Sequence, residues 1–355
     1  MSERFPAPEA DGGWTYARTA EEVSAAGFDP GLLAAFDRTE LALFAGETFS
    51  LSVVRGGVLA HELRSFNMLD DSRVDVWSCT KSFTGLAYMF LLDAGSRGEL
   101  ACGPVGLDTK AYDLIPDGRP LTDPRKADIT LDHLLTMSAG FVGEAEGVLG
   151  TATASGVGMF EFALGRADNR FGVSAARLAR DPGTAFDYSD PGFSHLSLAF
   201  AHAMGREIDE VVAERVFTPL GIERVAWARA GGGRLIGPHT VPHTGLSLSS
   251  RDLARVGLLL LRRGRWQGRE LLPQKQLDAF LSPSDCNQSY GRTFWLNAGG
   301  RLFPNVPEDL FGMFGFRSNR LYVIPSLDLV IARTATGPIE REEGAFLEAL
   351  VGATT

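Results

Sequence analysis

The sequence predicts a mixed α/β (α+β) fold: an antiparallel sheet flanked by helices, with an all-α domain inserted into it. Three observations carry that prediction. Strand-like runs stand near the start, at Ser50–Val54 and Val58–Leu63. Two more stand near the end, at Arg320–Ile324 and Leu329–Ala332. Between them the chain reads as helices and loops. We therefore assign residues 1–102 and 236–355 to one α/β domain made from both termini. Residues 103–235 form a mostly helical domain, and the site is expected between the two.

The arm through about Gly27 reads as a loop and a short helix. Arg55-Gly56-Gly57 is a turn signal between the first two strands, which makes them a hairpin. From Ser78 a helix follows, with Phe83, Leu86, Ala87, Phe90 and Leu91 on one apolar stripe, so it is expected to be amphipathic. Gly95 and Gly98 offer stops. Thr130 is placed to cap a short helix over Leu131–Leu135. Ile208, Val211, Val212 and Val216 form another helical stripe. The glycine-rich stretch from Ala230 through Gly233 to Gly245 reads as a flexible return crossing. Ser249-Ser250-Arg251-Asp252 resembles a capping box opening a helix that carries Leu253, Val256, Leu260 and Leu261. Phe346, Leu347, Leu350 and Val351 mark a last helix.

Composition narrows the function. With 355 residues, 45% of them apolar and 22% charged, the chain can bury a large core. A net charge of −10 and the lack of a basic run argue against a nucleic-acid partner. The polar start MSERFPAPEADGGW has no apolar signal core, and runs such as Val256–Leu261 are too short to span a bilayer, so no membrane partner is expected. Cys79, Cys102 and Cys286 make no disulfide framework, and a cytoplasmic location is the expectation. No metal site is read: His195 and His202 lack an HExxH pattern or a third ligand. No cofactor is implied either, since Gly231-Gly232-Gly233 lacks the lysine and context of a phosphate loop. The oligomeric state stays open, a homodimer included.

The chemistry concentrates at Ser78-Cys79-Thr80-Lys81. Residues three apart on a helix face the same way, with Cβ atoms about 5–6 Å apart, so Lys81 reaches the Ser78 hydroxyl. A serine in the first turn also has unpaired backbone N–H groups around it, which favour a developing negative charge. Lysine ionises near pKa 10.4, so service as a base at pH 7 demands a depression of roughly three units. Burial or a partner must solve that problem. Cys79, one residue on, is turned about 100° away and reads as packing. No G-x-S-x-G occurs. Downstream, Tyr188-Ser189-Asp190 supplies a second candidate piece. Serine, lysine and tyrosine in this order suggest nucleophilic acyl transfer.

Several segments together resemble the serine β-lactamase and penicillin-binding-protein superfamily, in its class C-like branch of esterases, peptidases and amide hydrolases. They are Val76–Thr84 around the nucleophile, Ile129-Thr130-Leu131-Asp132-His133-Leu134-Leu135-Thr136-Met137-Ser138-Ala139-Gly140, and Asp181-Pro182-Gly183-Thr184-Ala185-Phe186-Asp187-Tyr188-Ser189-Asp190. Pro219–Ile222 and Gly245–Arg255 also fit. The segments Tyr290–Asn297 and Tyr322–Val330 are similar to 6-aminohexanoate-dimer hydrolases. The resemblance implies the β-lactamase/transpeptidase-like fold. It implies Ser78 as acylated nucleophile, Lys81 as its deprotonating partner, and Tyr188 as a proton relay acting as base and then acid. His133 takes a structural position.

Two departures matter. Asp190 stands where the family has asparagine; an ionised aspartate only accepts hydrogen bonds. It is placed to pair with Lys81 or to face a substrate amine. The family's Lys-Thr-Gly or His-Thr-Gly motif is matched in letters by His243-Thr244-Gly245. By position the better match is Met313-Phe314-Gly315, which has neither cation nor hydroxyl. On that reading Phe314, Gly315 and Phe316 line the substrate site, and the Phe316 N–H completes an oxyanion hole. Arg317 or Arg320 would be the remaining anchors for a substrate carboxylate. The expected partner is a small-molecule ester or amide. The preferred reading is a serine hydrolase, a carboxylesterase on small neutral or hydrophobic esters. The alternatives are an amide hydrolase, a weak β-lactamase, and a catalytically silent ligand-binding protein on the same fold.

Overall fold

The structure, a computed structural model, describes residues 3–43, 48–69, 71–144, 158–169, 172–230, 236–337 and 342–355. Gly231–Gly233 and part of the 140–170 loop lie outside the described residues.

Six strands form one sheet: β1 (Phe49–Arg55), β2 (Val58–Arg64), β3 (Trp295–Leu296), β4 (Phe311–Gly315), β5 (Asn319–Ile324) and β6 (Leu329–Ala335). Their order is β3-β4-β5-β6-β1-β2, with every neighbouring pair antiparallel. The two ends of the chain meet where β1 pairs with β6, from Phe49 opposite Ala335 to Arg55 opposite Leu329. The expected first hairpin is present. Gly56 and Gly57 turn it with φ of 61° and 74°, the left-handed pair that a two-residue hairpin loop requires.

Both β1 and β6 are buried almost throughout, because both faces of the sheet are covered. Leu51, Val53, Tyr322 and Ile331 pack with Phe36, Phe346 and Leu350, which lie on α1 (Pro30–Leu43) and α5 (Glu343–Gly352). Val54, Val323, Val330 and Ala332 face the larger core with Leu253 and Val256. The helices on that side include α2 (Thr80–Ser96), α3 (Asp190–Met204) and α4 (Ser250–Leu261).

The predicted caps are present. Ser249 Oγ accepts from the Asp252 N–H at 3.1 Å, and the Asp252 carboxylate accepts from the Ser249 N–H at 3.1 Å. Ser250 Oγ then lies 2.8 Å from both Ser50 Oγ and Ser52 Oγ, which ties α4 to β1. Thr130 and His133 cap each other reciprocally, a structural role for that histidine.

One expectation is corrected. Helix α2 is not amphipathic: Thr80 to Leu92 are all buried, as are Ala94 and Gly95. Two of its buried polar residues bond to distant backbone carbonyls. Ser82 Oγ donates to the Thr293 carbonyl at 2.5 Å, and Thr84 Oγ1 donates to the Pro242 carbonyl at 2.8 Å.

A buried ion pair closes the far side of the sheet. Arg333, whose side chain is 0% exposed, bonds Glu343 at the start of α5, and the Tyr322 hydroxyl donates to Glu343 at 2.7 Å. Burial pushes the Glu343 carboxyl up, but Arg333 and Arg320 outweigh it and bring its pKa below the usual glutamate range. A carboxylate depressed in the folded state stabilises it above the unfolded pKa, and that stability is lost as pH falls through the folded value. Glu343→Gln should therefore cost about 3 kcal/mol at pH 7, because Arg333 is left buried without its counter-charge. Urea titrations at pH 7 and pH 4 check this: the gap between variant and wild type should narrow at the lower pH.

Candidate active site

The residues just before Ser78 are held in a strained turn. Trp77 has φ of +51°, an uncommon conformation for a bulky L-residue. Asp75 supports it: its Oδ1 accepts from the Trp77 N–H at 2.8 Å and from the Gly245 N–H at 3.1 Å. Thr244 Oγ1 donates to Oδ2 of the same carboxylate at 3.3 Å. Ser78 follows in a single 3-10 turn, Trp77–Cys79, that leads straight into α2. Cys79 points into the core, with Sγ 3.4 Å from the carbonyls of Met313 and Asn319, which agrees with a packing role.

The i,i+3 geometry holds across that junction. Lys81 Nζ donates to Ser78 Oγ at 2.9 Å. The lysine is 2% exposed and forms an ion pair with Asp190 Oδ1 at 2.7 Å. It also donates to the His243 carbonyl at 3.5 Å and lies 4.7 Å from the Tyr188 ring centroid. Asp190 is the first residue of α3, whose N-cap Ser189 accepts from the Gly192 N–H at 3.1 Å. Of the two roles that the sequence left open for Asp190, the structure shows the pairing with Lys81.

The Tyr188 phenol faces Ser78 across the cleft. Burial raises its phenol well above the ordinary tyrosine value, and the Asp190 carboxylate pushes it further; the nearby Ser78 hydroxyl opposes both without cancelling them. The residue as a whole is only half-buried, so the surroundings act on its phenol end more than on its full surface. Tyr188 is a neutral phenol at rest. It is equipped to give a proton, and less so to take one.

The third wall is Phe314 and Gly315 of β4 with Phe316 beyond them; Met313 of the same strand is buried in the core. Gly315 lies against the nucleophile turn: a Cβ there would sit 2.2 Å from the Val76 carbonyl oxygen and 3.2 Å from the Cys79 nitrogen. Only glycine permits that approach. Beyond it, Arg317 and Ser318 turn the chain with φ of 55° and 58°, both left-handed. Buried Asn319 holds this turn, donating to the carbonyls of Phe316 at 2.8 Å and Ala335 at 3.0 Å. His243-Thr244-Gly245 lies instead behind Lys81. The His243 ring is buried, and burial lowers its pKa to about 4, so it is neutral near pH 7.

Ser78, Tyr188, Asp190, Phe314, Gly315 and Phe316 line one cleft of about 490 Å³. With Lys81 bonded to Ser78 behind them, the candidate catalytic and substrate-binding residues meet at this cleft. Other lining residues were not singled out: Trp77, Glu144 and Trp295. Trp295 is stacked between Tyr188, 6.2 Å away between centroids, and Phe314, 5.5 Å away. The Tyr290–Asn297 segment hinted at Trp295, but nothing marked Glu144. Arg320 is no free anchor for a substrate carboxylate. It donates to the carbonyls of Gly315 and Asn319 and lies 3.7 Å from Glu343. Arg317 is exposed at the rim, 5.3 Å above the Trp77 ring. Among the described residues, no group of histidines, cysteines and acids is arranged to hold a metal ion.

A family model described as beta-lactamase matches residues 37–353. The chain belongs to the beta-lactamase family. This is a family of serine hydrolases. Penicillin-binding protein 4 of Amycolatopsis lactamdurans is 27% identical over 180 residues, which span 49% of this chain and 41% of that protein. A structure assigned as a beta-lactamase from Bacteroides dorei superposes with a TM-score of 0.70 at 15% identity, over 92% of this chain and 99% of that one. One assigned as a 6-aminohexanoate-dimer hydrolase from Bacillus anthracis gives 0.63 at 19% identity, over 86% and 78%. At such identities the structures show the fold alone, and it is the β-lactamase/transpeptidase-like fold expected from the motifs.

Gly315→Ala tests the close approach. The added methyl must push β4 off the nucleophile turn, so kcat for an activated ester should fall about 100-fold, as for loss of one oxyanion donor. Thermal unfolding should also shift down. A variant as active and as stable as wild type would contradict the contact.

Proposed function

We propose that this protein is a serine hydrolase that forms an acyl-enzyme on Ser78, acting as a carboxylesterase on small esters that are neutral or hydrophobic around the scissile bond. The observation that carries the reading is the chain from Ser78 Oγ, hydrogen-bonded to Lys81 Nζ at 2.9 Å, through the Lys81–Asp190 ion pair at 2.7 Å, opening on a largely apolar cleft.

Ser78 Oγ attacks the carbonyl carbon. Its proton passes to Lys81 Nζ while a lysine proton passes to the Asp190 carboxylate. Lys81 then needs no lone pair of its own at rest, and Asp190 is the final acceptor. The N–H groups of Ser78 and Phe316 hold the oxyanion. Collapse of the tetrahedral species breaks the bond to the leaving oxygen, which takes the Tyr188 phenol proton. The phenolate recovers a proton from Asp190 through Lys81. Water repeats the sequence on the acyl-enzyme and frees the acid.

Substrate class follows from the third motif. Met313 and Phe314 supply neither the cation nor the hydroxyl that would grip a carboxylate, and Arg320 is already engaged. This favours esters over β-lactams and carboxylate-ended peptides. An amide hydrolase is the second reading, favoured by the resting proton on Tyr188, which an amine leaving group requires. The cysteines are all unpaired, and a cytoplasmic location belongs to the same proposal.

Intact-protein mass spectrometry after a fluorophosphonate probe, beside p-nitrophenyl acetate and butyrate turnover, tests the reading. One adduct and steady hydrolysis are expected in wild type, and both should vanish in Ser78→Ala. A folded wild type that is neither labelled nor active would overturn the hydrolase and favour a silent ligand-binding protein.

A further inference from the structure

The charges around the cleft are unevenly used. Lys81 and Asp190 satisfy each other. Arg320 also lines the cleft, bound to backbone carbonyls and 3.7 Å from Glu343. Arg317 lies out at the rim over Trp77. Glu144 lines the same cleft as Ser78, and its carboxylate has no partner among the described residues.

Its side chain is exposed, but its backbone is held to the catalytic segment. The Glu144 N–H donates to the Tyr188 carbonyl at 3.0 Å, and Ser189 Oγ donates to the Val142 carbonyl at 2.6 Å. Between them the backbones touch: a Cβ on Gly143 would meet the Tyr188 oxygen at 2.6 Å. Glu144 is therefore fixed to the segment that carries Tyr188 and Asp190. The cleft also presents the stacked rings of Tyr188, Trp295 and Phe314. Aromatic faces attract cations, quaternary ammonium above all.

We infer that Glu144 is a specificity residue of this cleft and selects substrates that carry an ammonium group near the scissile bond. The inference rests on the hydrolase reading and deepens it: the reacting end is neutral and apolar, and a positive charge lies a few atoms away. The same carboxylate repels acids, which agrees with the loss of the carboxylate-gripping motif. Burial and the Asp190 charge raise the Glu144 pKa, with Lys81 opposing, so a bound cation also favours its ionised form.

Matched ester pairs that differ only in charge test this. Butyrylcholine and 3,3-dimethylbutyl butyrate place the charge, or its uncharged isostere, in the alcohol. The p-nitrophenyl esters of 4-(trimethylammonio)butyrate and 5,5-dimethylhexanoate place it in the acyl group. The readout is the ratio of kcat/KM within each pair, for wild type, Glu144→Gln and Glu144→Asp. Wild type should prefer the cation by roughly ten-fold in at least one pair, chiefly through KM. The ratio should fall toward one in Glu144→Gln, return in part in Glu144→Asp, and shrink as salt is raised. Ser78-dependent hydrolysis with no cation preference in either pair, or a preference that survives Glu144→Gln, would overturn the inference and leave the hydrolase reading standing. No hydrolysis and no Ser78 labelling would overturn both.

Discussion

One buried ammonium group organises this molecule. The Lys81 side chain is 2% exposed, and an ionised lysine in that place is costly by several kcal/mol unless it is fully compensated. Compensation comes from Ser78 in the turn just before α2 and from two distant parts of the chain, Asp190 at the start of α3 and the carbonyl of His243. These segments must meet at one nitrogen for the charge to be tolerated. The meeting point is also where the serine hydroxyl lies. Structural necessity and the proposed chemistry therefore use the same contacts. The aspartate that departs from the family pattern supplies the counter-charge.

A second constraint acts from the sheet. Strand β4 approaches the nucleophile turn so closely that position 315 must be glycine. Left-handed residues stand on both sides of that contact, Trp77 on one and Arg317 with Ser318 on the other. Each is held by a buried or half-buried polar group. Asp75 accepts the Trp77 N–H, and Asn319 donates to the Phe316 carbonyl. Strain of this kind persists only where neighbours over-determine it. Here it holds the backbone at 78 and 316 along one cleft.

Much of this was legible in the sequence because it depends on local rules. The Arg55-Gly56-Gly57 turn, the Ser249 and Thr130 caps and the i,i+3 spacing of Ser78 and Lys81 are all fixed within a few residues. The choice of Met313-Phe314-Gly315 over His243-Thr244-Gly245 also followed, from position along the chain. What was not legible is tertiary. Helix α2 read as amphipathic because Ser82 and Thr84 interrupt its apolar stripe, yet both are buried and bonded to carbonyls far away in sequence. Glu144 carried no signal, because its place in the cleft comes from backbone contact with residues 187–189. Trp295 was visible as part of an aromatic segment, but its stacking between Tyr188 and Phe314 was not. Arg320 was open as an anion anchor until its hydrogen bonds to carbonyls were seen.

The central claim is that proton transfer from Ser78 runs through Lys81 to Asp190, and the burst phase of Asp190→Asn tests it most directly. Asparagine is isosteric but leaves Lys81 without its counter-charge, so thermal unfolding of the variant is recorded first and the burst is read on protein that is folded at the assay temperature. Pre-steady-state release of p-nitrophenol from p-nitrophenyl acetate reports acylation alone. If Asp190 is the final proton acceptor, the burst rate falls by about 100-fold or more. A burst as fast as wild type, or faster, would show that Lys81 serves without the carboxylate and would contradict the account.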